Sequence, residues 1–202
     1  MIHSFQGKRF LITGGSGFIG TNLIEIISEL DSEVKILNLD KNKPSPKFKK
    51  YWIKADINSK ETFFSKVIDY APDYIIHLAA EAKMGGKNLD DFTSNIKGVE
   101  NLVECCRKLS SKTFLIITSS QHVKKPGSFI YNKKINYAPL GLYGQSKVIT
   151  EQIIINSDLK QKWIIIRPTL VWGPRNYVMA NNIFRYLKKG IYIHPSNDNT
   201  VR

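Results

Sequence analysis

The sequence predicts an α/β fold in which helices cover both faces of a doubly wound parallel sheet. Apolar segments of strand length alternate along the chain with longer segments of helical periodicity. Several strand segments, including 75–76, 115–117 and 164–166, are uninterrupted runs of isoleucine and leucine, as expected for strands buried on both faces. A glycine-rich turn at 13–20 connects the first strand segment to the first helix segment.

The predicted elements follow in order along the chain. Strands are expected at 9–13, 33–39, 51–54, 74–78, 113–118 and 163–167, where the sequence is apolar over strand length. Helices are expected at 17–30, 60–70, 90–109, 143–157 and 180–189, where apolar residues recur at helical spacing. Segment 42–50 carries two prolines and four lysines and is predicted to be a loop. A ligand of such a fold should lie beyond the carboxyl ends of its strands.

Composition limits the class of protein. A chain of 202 residues, 42% of them hydrophobic, forms one large domain or one domain with part of a second. No apolar run reaches the roughly 18–20 residues of a membrane span, and no secretory signal follows Met1. Cys105 and Cys106 are adjacent, which is neither metal-site spacing nor a disulfide framework. We therefore expect a cytoplasmic protein with no metal and no membrane partner.

The formal charge of +13 raises the question of nucleic-acid binding. The lysines are spread along the whole chain, and no nucleic-acid-binding module or stacking set of aromatic residues is visible. We interpret the charge as a lysine-rich solvated surface, with a field that favours anionic ligands such as nucleotides as the alternative, and expect no nucleic-acid partner.

The glycine-rich turn is typical of a site for a dinucleotide pyrophosphate. Gly14 permits the tight turn, Gly17 lets the backbone approach the phosphates, and Gly20 allows close packing of helix on strand. The helix that includes Phe18 and Ile19 points its positive N-terminus at the anion. An ordinary turn between a strand and a helix is the competing interpretation.

Residues at the ends of the next strands extend this site. Asp40, about twenty residues past the glycines, can accept both ribose hydroxyls of an adenosine and would repel a 2′-phosphate, which favours NAD over NADP. Lys41 and Lys43 reduce that preference, and an aspartate after a strand is also a common turn residue. Asp56 and Ile57 suit the adenine edge, although Asp56 equally fits the start of a helix.

The fourth strand ends in the sequence His77-Leu78-Ala79-Ala80. The small residues allow a cofactor to cross the edge of the sheet closely. His77 is interpreted as a packed strand residue with no catalytic role.

A catalytic set is predicted beyond the fifth strand. Tyr143 and Lys147 stand four residues apart on one helix face, and Ser120 follows the strand end at Thr118. A tyrosine with its ordinary pKa near 10 is a poor base at neutral pH. A lysine one turn away, with a positively charged nicotinamide, would lower the pKa of Tyr143 toward the working range. Tyrosine and lysine four apart also occur by chance on many helices.

Together these motifs resemble the extended short-chain dehydrogenase/reductase family, the NAD-dependent epimerase/dehydratase group that acts on nucleotide sugars. The resemblance implies a Rossmann fold, with Tyr143 as acid/base and Ser120 positioning the substrate oxygen. It also implies that Lys147 holds the nicotinamide ribose and tunes Tyr143, while Asn95 braces the site. The cofactor-binding residues expected from motifs and resemblance are Gly14, Gly17, Phe18, Ile19, Gly20, Asp40, Asp56, Ile57, Leu78, Ala79, Ala80, Asn95, Thr118, Tyr143, Lys147, Pro168 and Thr169.

Departures from the family pattern reduce the number of reactions that the chain could catalyse. Sugar 4,6-dehydratases carry Thr-Asp-Glu where this chain has Ser120-Gln121-His122. Gln121 cannot donate a proton as an acid, and although His122 could transfer protons, the carboxylate pair is missing. A 4,6-dehydratase is therefore disfavoured. Leu170 stands where many 4-epimerases place an asparagine that touches the sugar nucleotide.

The resemblance leads to two functional hypotheses. The first is an NAD-dependent epimerase or keto-sugar oxidoreductase with a nucleotide-sugar substrate, and the alternative is an NAD-binding module without turnover. We expect residues 1–172 to form the dinucleotide-binding domain and 173–202 to begin an incomplete C-terminal substrate lobe. A homodimer formed through helix 90–109 and the Tyr143 helix is also implied by the resemblance.

Overall fold

A computed structural model describes residues 5–83, 85–124, 137–177 and 183–191 of the chain. Six parallel strands form one sheet in the order β3-β2-β1-β4-β5-β6. The strands are β1 (Arg9–Thr13), β2 (Lys35–Asp40), β3 (Trp52–Lys54), β4 (Tyr74–His77), β5 (Phe114–Thr118) and β6 (Lys162–Ile166). The predicted doubly wound parallel sheet is confirmed, and each predicted strand is present to within two residues at each end.

The helices that flank the sheet are α1 (Phe18–Leu30), α2 (Lys60–Tyr70), α3 (Thr93–Cys106) and α4 (Gly141–Ile155). The prediction for 90–109 was wrong at its start, because a separate 3-10 turn, Leu89–Phe92, precedes α3. The loop predicted at 42–50 also contains a 3-10 helix, Pro46–Tyr51, which buries Phe48. Within the helix predicted at 180–189, a short helical segment, Arg185–Leu187, is described, and residues 180–182 lie outside the described residues.

Alternate residues of the central strands supply two separate hydrophobic clusters, one on each face of the sheet. Leu11 and Ile75 belong to the cluster that packs against α2, α3 and α4. Ile12 and Ile76, their immediate neighbours in sequence, belong to the cluster that packs against α1 and the 3-10 helix at Pro46–Tyr51. Because successive side chains of a strand point to opposite faces, these uninterrupted apolar runs fill both layers.

The topology places a crevice at the carboxyl ends of β1 and β4. Strand β1 pairs with β2 on one side and with β4 on the other, so the chain reverses its winding direction there. The hydroxyl of Thr13 lies 2.8 Å from Nδ1 of the buried His77, which joins the last residues of β1 and β4. His77 is thus a packed strand residue, as predicted, and burial lowers its pKa to about 3.

No helix in the described ranges is long and apolar enough to cross a membrane.

Candidate functional site

The glycine-rich turn lies directly against the end of β4. Gly14 has φ +71°, and a Cβ added there would lie 2.7 Å from the backbone nitrogen of Ala79. A Cβ on Gly20 would collide with the backbone of Gly15. Only glycine satisfies both the backbone conformation and the close approach at position 14. Helix α1 starts at Phe18, immediately after this turn, so the amides of its first turn open on the crevice.

Asp40 holds the turn in place from the end of β2. Its Oδ2 accepts the backbone N–H of Ser16 at 3.0 Å, and its Oδ1 accepts the N–H of Asn42 at 2.8 Å. Ser16 is also fixed by its hydroxyl, which accepts a hydrogen bond from Asn38 Nδ2 at 3.1 Å. Each carboxylate oxygen has a second lone-pair site, so a ribose hydroxyl can still bind Asp40.

A cavity of about 200 Å³ lies between the turn and the ends of β2, β3 and β4. It brings together eight of the predicted cofactor residues: Gly14, Gly17, Asp40, Asp56, Ile57, Leu78, Ala79 and Ala80. Asp56 lies in the turn before α2 and accepts the N–H of Asn58 at 2.9 Å, so it is not a residue of that helix. We call this cavity the adenosine-side cleft because of the position of Asp40.

An ion pair crosses the adenosine-side cleft and was not predicted from the sequence. Lys41 Nζ lies 3.0 Å from Glu81 Oε1, and both residues line the cavity. The interaction with Glu81 raises the pKa of Lys41 above its ordinary value. Since Lys41 follows β2 and Glu81 follows β4, the pair spans the end of β1 that lies between these strands.

Ser120, Tyr143 and Lys147 lie together past the carboxyl end of β5. Lys147 is buried, and its Nζ donates to the carbonyl oxygen of Thr118 at 2.9 Å. Burial lowers the pKa of Lys147 to about 8, against the opposing charge of Glu151. Ser120 is also buried, and its hydroxyl lies close enough to the Tyr143 phenol to influence the pKa of Tyr143.

The surroundings of Tyr143 act on its pKa in opposite directions. Burial raises the pKa of Tyr143 above its ordinary value, and the neighbouring Ser120 hydroxyl lowers it. The lowering of this pKa by Lys147 together with a bound nicotinamide remains a prediction. The Lys147 ammonium is engaged by the Thr118 carbonyl oxygen. Ser120 is therefore the group of this set that favours the Tyr143 phenolate.

Asn95 connects the two parts of the site. Its Nδ2 donates to Ser146 Oγ at 2.9 Å, and its Oδ1 accepts the N–H of Glu81 at 2.7 Å. Its carbonyl oxygen accepts the Thr150 hydroxyl at 3.1 Å. Because Ser146 directly precedes Lys147 on α4, Asn95 couples this helix to the segment that follows β4. Ser146 has no signal in the sequence that separates it from other helix residues.

The end of β6 lies beside the end of β5. The carbonyl oxygen of Pro168 accepts the N–H of Gln121 at 3.1 Å, next to the Ser120 position. Thr169 follows Pro168 in the chain and is exposed. The first turn of α1 contains Phe18, Ile19 and Gly20, and none of these three is among the residues that line the adenosine-side cleft.

Comparison with known proteins identifies the family. Residues 10–191 match the model of the NAD dependent epimerase/dehydratase family. The chain belongs to this family. Its members carry the dinucleotide-binding fold seen here, and the family is NAD-dependent.

Individual members of the family differ in activity. The chain is 29% identical over 196 residues to a 3-beta-hydroxysteroid dehydrogenase of Mycolicibacterium neoaurum, covering 90% of this chain and 52% of the relative. It is 28% identical over 194 residues to UDP-glucose 4-epimerase of Vibrio cholerae, covering 91% of this chain and 58% of the relative. The chain thus spans about half the length of these curated relatives.

A solved structure gives the same result for the fold. The UDP-glucose 4-epimerase of Thermus thermophilus, solved in complex with NAD, superposes with a TM-score of 0.69 at 26% identity. The match covers 83% of this chain and 57% of the epimerase. Within this family both epimerases and dehydrogenases use the same fold.

Proposed function

We propose that the chain is the NAD-binding and catalytic part of an oxidoreductase that acts on a secondary hydroxyl group of a nucleotide sugar, as an epimerase or a keto-sugar oxidoreductase. The convergence of Ser120, Tyr143 and Lys147 beyond β5, two strands from the glycine-rich turn, carries this proposal. An acid/base next to a dinucleotide site is what hydride transfer from an alcohol requires.

The residues present fit a dinucleotide laid across the carboxyl ends of the strands. Gly14 has no Cβ, so the turn can approach the Ala79 backbone and a ligand closely. Gly17 and the first-turn amides of Phe18, Ile19 and Gly20 would hold the pyrophosphate. Asp40 would accept the adenosine ribose, with Asp56 and Ile57 at the adenine.

The nicotinamide half would reach the second group of residues. Leu78, Ala79 and Ala80 form the edge that the cofactor crosses, and Tyr143 and Lys147 would face the nicotinamide ribose. Thr118 Oγ1 is buried with no hydrogen-bond partner among the described residues, which makes it an available group at this edge. Pro168 and Thr169 would lie near the carboxamide, and Asn95 keeps α4 in place. Bound NAD would supply the hydride acceptor.

The chain's own residues would move the proton. Tyr143 takes the hydroxyl proton of the substrate as the carbon-bound hydrogen leaves as hydride. Ser120 would contact the same substrate oxygen and orient it. Lys147 holds the cofactor ribose and adds positive charge next to the phenolate that must form.

Substitution of Tyr143 tests this proposal. Tyr143→Phe should retain NAD binding and lower turnover by about 10²–10⁴-fold, the range of general acid–base effects. Tyr177→Phe, at a tyrosine that is 72% exposed, is the matched control and should leave both quantities unchanged. Turnover is tested with UDP-glucose and with a 3β-hydroxysteroid, because the relatives include enzymes named for both. NADH absorbance detects net oxidation, and chromatography of the sugar nucleotide detects epimerisation. Equal turnover in wild type and Tyr143→Phe would reject the acid/base role.

A second candidate function is an NAD-binding module without turnover. Gln121, which stands where the dehydratases carry an acid, is the observation that favours it. Binding of NAD with no oxidation of any hydroxyl substrate in the same panel would support this alternative. The homodimer remains a prediction, and light scattering of the purified chain tests it.

A further inference from the structure

His122 is attached to the candidate catalytic set by three contacts. Its Nδ1 lies 3.0 Å from Ser120 Oγ, and its backbone N–H donates to the same oxygen at 3.2 Å. Its ring meets the ring of Tyr143 edge-on, with the centroids 5.6 Å apart. The Ser120 hydroxyl also lies near the Tyr143 phenol, where it lowers the pKa of Tyr143 against the effect of burial. The three side chains therefore form a continuous line from Tyr143 through Ser120 to His122.

The backbone fixes His122 in this position. The carbonyl oxygen of His122 accepts the N–H of Leu140 at 2.8 Å. The same carbonyl lies so close to Gly144 of α4 that a Cβ there would collide with it. His122 also belongs to a 3-10 turn, Gln121–Val123, that Ser120 caps. The imidazole is thus held by both α4 and the β5 segment.

The two ends of the line are partly exposed to solvent and its middle is not. Tyr143 and His122 are both partly exposed, whereas Ser120 is buried. Lys147 is buried and donates to the Thr118 carbonyl oxygen. The imidazole contacts the Ser120 hydroxyl and is partly exposed, so it can exchange a proton with water at the end of the line away from Tyr143.

We infer that Tyr143, Ser120 and His122 form a proton relay that carries the substrate hydroxyl proton from the site to solvent. This inference rests on the proposed function and deepens it. The proton passes from the substrate oxygen to the Tyr143 oxygen, the phenol proton passes to the Ser120 oxygen, and the Ser120 proton passes to His122 Nδ1. Imidazolium then releases a proton from Nε2 to water. Bound NAD would accept the hydride with the two electrons of the broken C–H bond, so that oxidation of the alcohol to a ketone would release one proton in balance with the reduction of NAD.

The relay distinguishes two kinds of reaction within the family. An epimerase takes a proton and returns it to the same substrate, so it needs no exit to solvent. A dehydrogenase or reductase exchanges one proton with water in each turnover. The line of contacts therefore favours net oxidation or reduction with release of the product.

The direction of the pH dependence follows from the chemistry of imidazole, which accepts a proton only in its neutral form. A higher pH favours the neutral form, so oxidation should become faster as pH rises. The titratable group that faces His122 from α4 is Tyr143, and Lys124 follows His122 on its own segment. Lys147, one turn beyond Tyr143, is directed to Thr118.

A histidine titration by NMR tests the line of contacts in the chain as it is. The chain has four histidines, and His122→Gln identifies the His122 signal by its loss. Ser120→Ala should shift the midpoint and the tautomer ratio of His122, because Nδ1 loses its partner. Ser157→Ala, which removes a hydroxyl bonded to the Ile154 carbonyl oxygen, is the matched control and should change neither. An unchanged His122 titration in Ser120→Ala would overturn the relay whether or not the chain turns over a substrate.

Kinetics separate the relay from the proposed function. His122→Gln should lower the rate of oxidation by up to about 100-fold, the lower end of general acid–base effects, and remove the rise of rate with pH. Added imidazole should restore part of the rate, and NAD affinity should stay unchanged. If Tyr143→Phe abolishes turnover and His122→Gln alters neither rate nor pH profile, the relay is wrong and the proposed function stands. If Tyr143→Phe has no effect, the proposed function fails.

Discussion

Glu151 and Arg167 form a two-point ion pair inside the protein. Arg167 Nε lies 2.7 Å from Glu151 Oε1, and Nη2 lies 2.5 Å from Oε2. The Tyr137 hydroxyl donates to Oε2 at 2.9 Å, and Glu151 has no exposed surface. Glu151 stands one turn after Lys147 on α4, and Arg167 directly precedes Pro168. The pair therefore fastens the helix of the candidate catalytic set to the end of β6.

Removal of the Glu151 charge should destabilise the fold strongly. Glu151→Gln leaves the Arg167 guanidinium partly buried without its counter-ion, and loss of one partner of a buried pair costs about 3–5 kcal/mol. The control is Asp158→Asn, which breaks the exposed pair with Arg107 and should cost less than about 1 kcal/mol. Urea unfolding of the three proteins measures both differences. Equal losses in the free energy of unfolding of the two variants would show that burial does not make the Glu151 pair more important for stability than the exposed pair.

The stability contribution of Lys147 should depend on pH. The folded-state pKa is about 8, below the ordinary value near 10.4, so between these values the unfolded chain binds a proton that the native chain does not. The free energy of unfolding contributed by this group therefore rises with pH in that window, by up to about 1.4 kcal/mol per pH unit. Below about pH 8 the buried charge is a constant cost.

Unfolding of wild type and Lys147→Met at pH 7 and pH 9.5 measures this effect as a difference, in which other titrating groups cancel. The wild type should gain stability relative to Lys147→Met as pH increases. A difference between the two proteins that stays constant over this range would contradict the lowered pKa.

Two glycines with the same backbone conformation allow the role of the glycine-rich turn to be isolated. Gly14 and Gly7 have φ of +71° and +69°, but a Cβ on Gly7 meets nothing within 4 Å whereas one on Gly14 meets the Ala79 backbone. Gly7→Ala should cost only the left-handed strain of about 1–2 kcal/mol. Gly14→Ala should cost more and abolish NAD binding, because the turn must move away from β4. Calorimetric titration with NAD checks this, and retention of affinity in Gly14→Ala would be inconsistent with a pyrophosphate site here.

The ion pair between Lys41 and Glu81 should limit the use of NADP. Glu81→Gln frees the Lys41 ammonium next to Asp40, where a 2′-phosphate would lie. A new exposed charge contact of about 1 kcal/mol would raise NADP affinity roughly fivefold while leaving NAD affinity unchanged. Glu104→Gln, which removes an exposed partner of Lys60, is the control. If the ratio of NADP affinity to NAD affinity is the same in Glu81→Gln as in the wild type, Lys41 does not reach the 2′-phosphate of NADP.

The sheet and its crevice could be predicted from sequence because the local signals agree with the tertiary structure. The uninterrupted runs at 75–76 and 115–117 belong to strands buried on both faces, as predicted, and their short length favours a strand over a helix. The prediction was wrong for the run at 164–166, because β6 is an edge strand in which Ile164 and Ile166 are exposed. The glycines of the turn mark a close approach to Ala79 that other residues would block. The lysine-rich segment 42–50 was misread because Phe48, which is buried, is surrounded by loop-forming residues.

The side-chain contacts that connect the elements around the site could not be predicted, because they join residues far apart in the chain. Asn95 reaches Ser146 across 51 residues, and Lys41 meets Glu81 across 40. Glu151 has one visible signal, its position four residues after Lys147, but its partner Arg167 is fixed only by the pairing of β6 with β5. The hydrogen bond from Lys147 to the Thr118 carbonyl oxygen also has no signal in the sequence, because the spacing of Tyr143 and Lys147 does not show what the buried ammonium contacts.

A crystal structure of the chain grown with saturating NAD would show where the cofactor lies, and a calorimetric titration of the same sample would establish binding. We expect adenosine beside Asp40, pyrophosphate over the first turn of α1, and the nicotinamide ring beside the hydroxyl of Tyr143. NAD bound elsewhere, or bound in the crevice with its nicotinamide away from Tyr143, would contradict this expectation, as would an absence of binding in the titration.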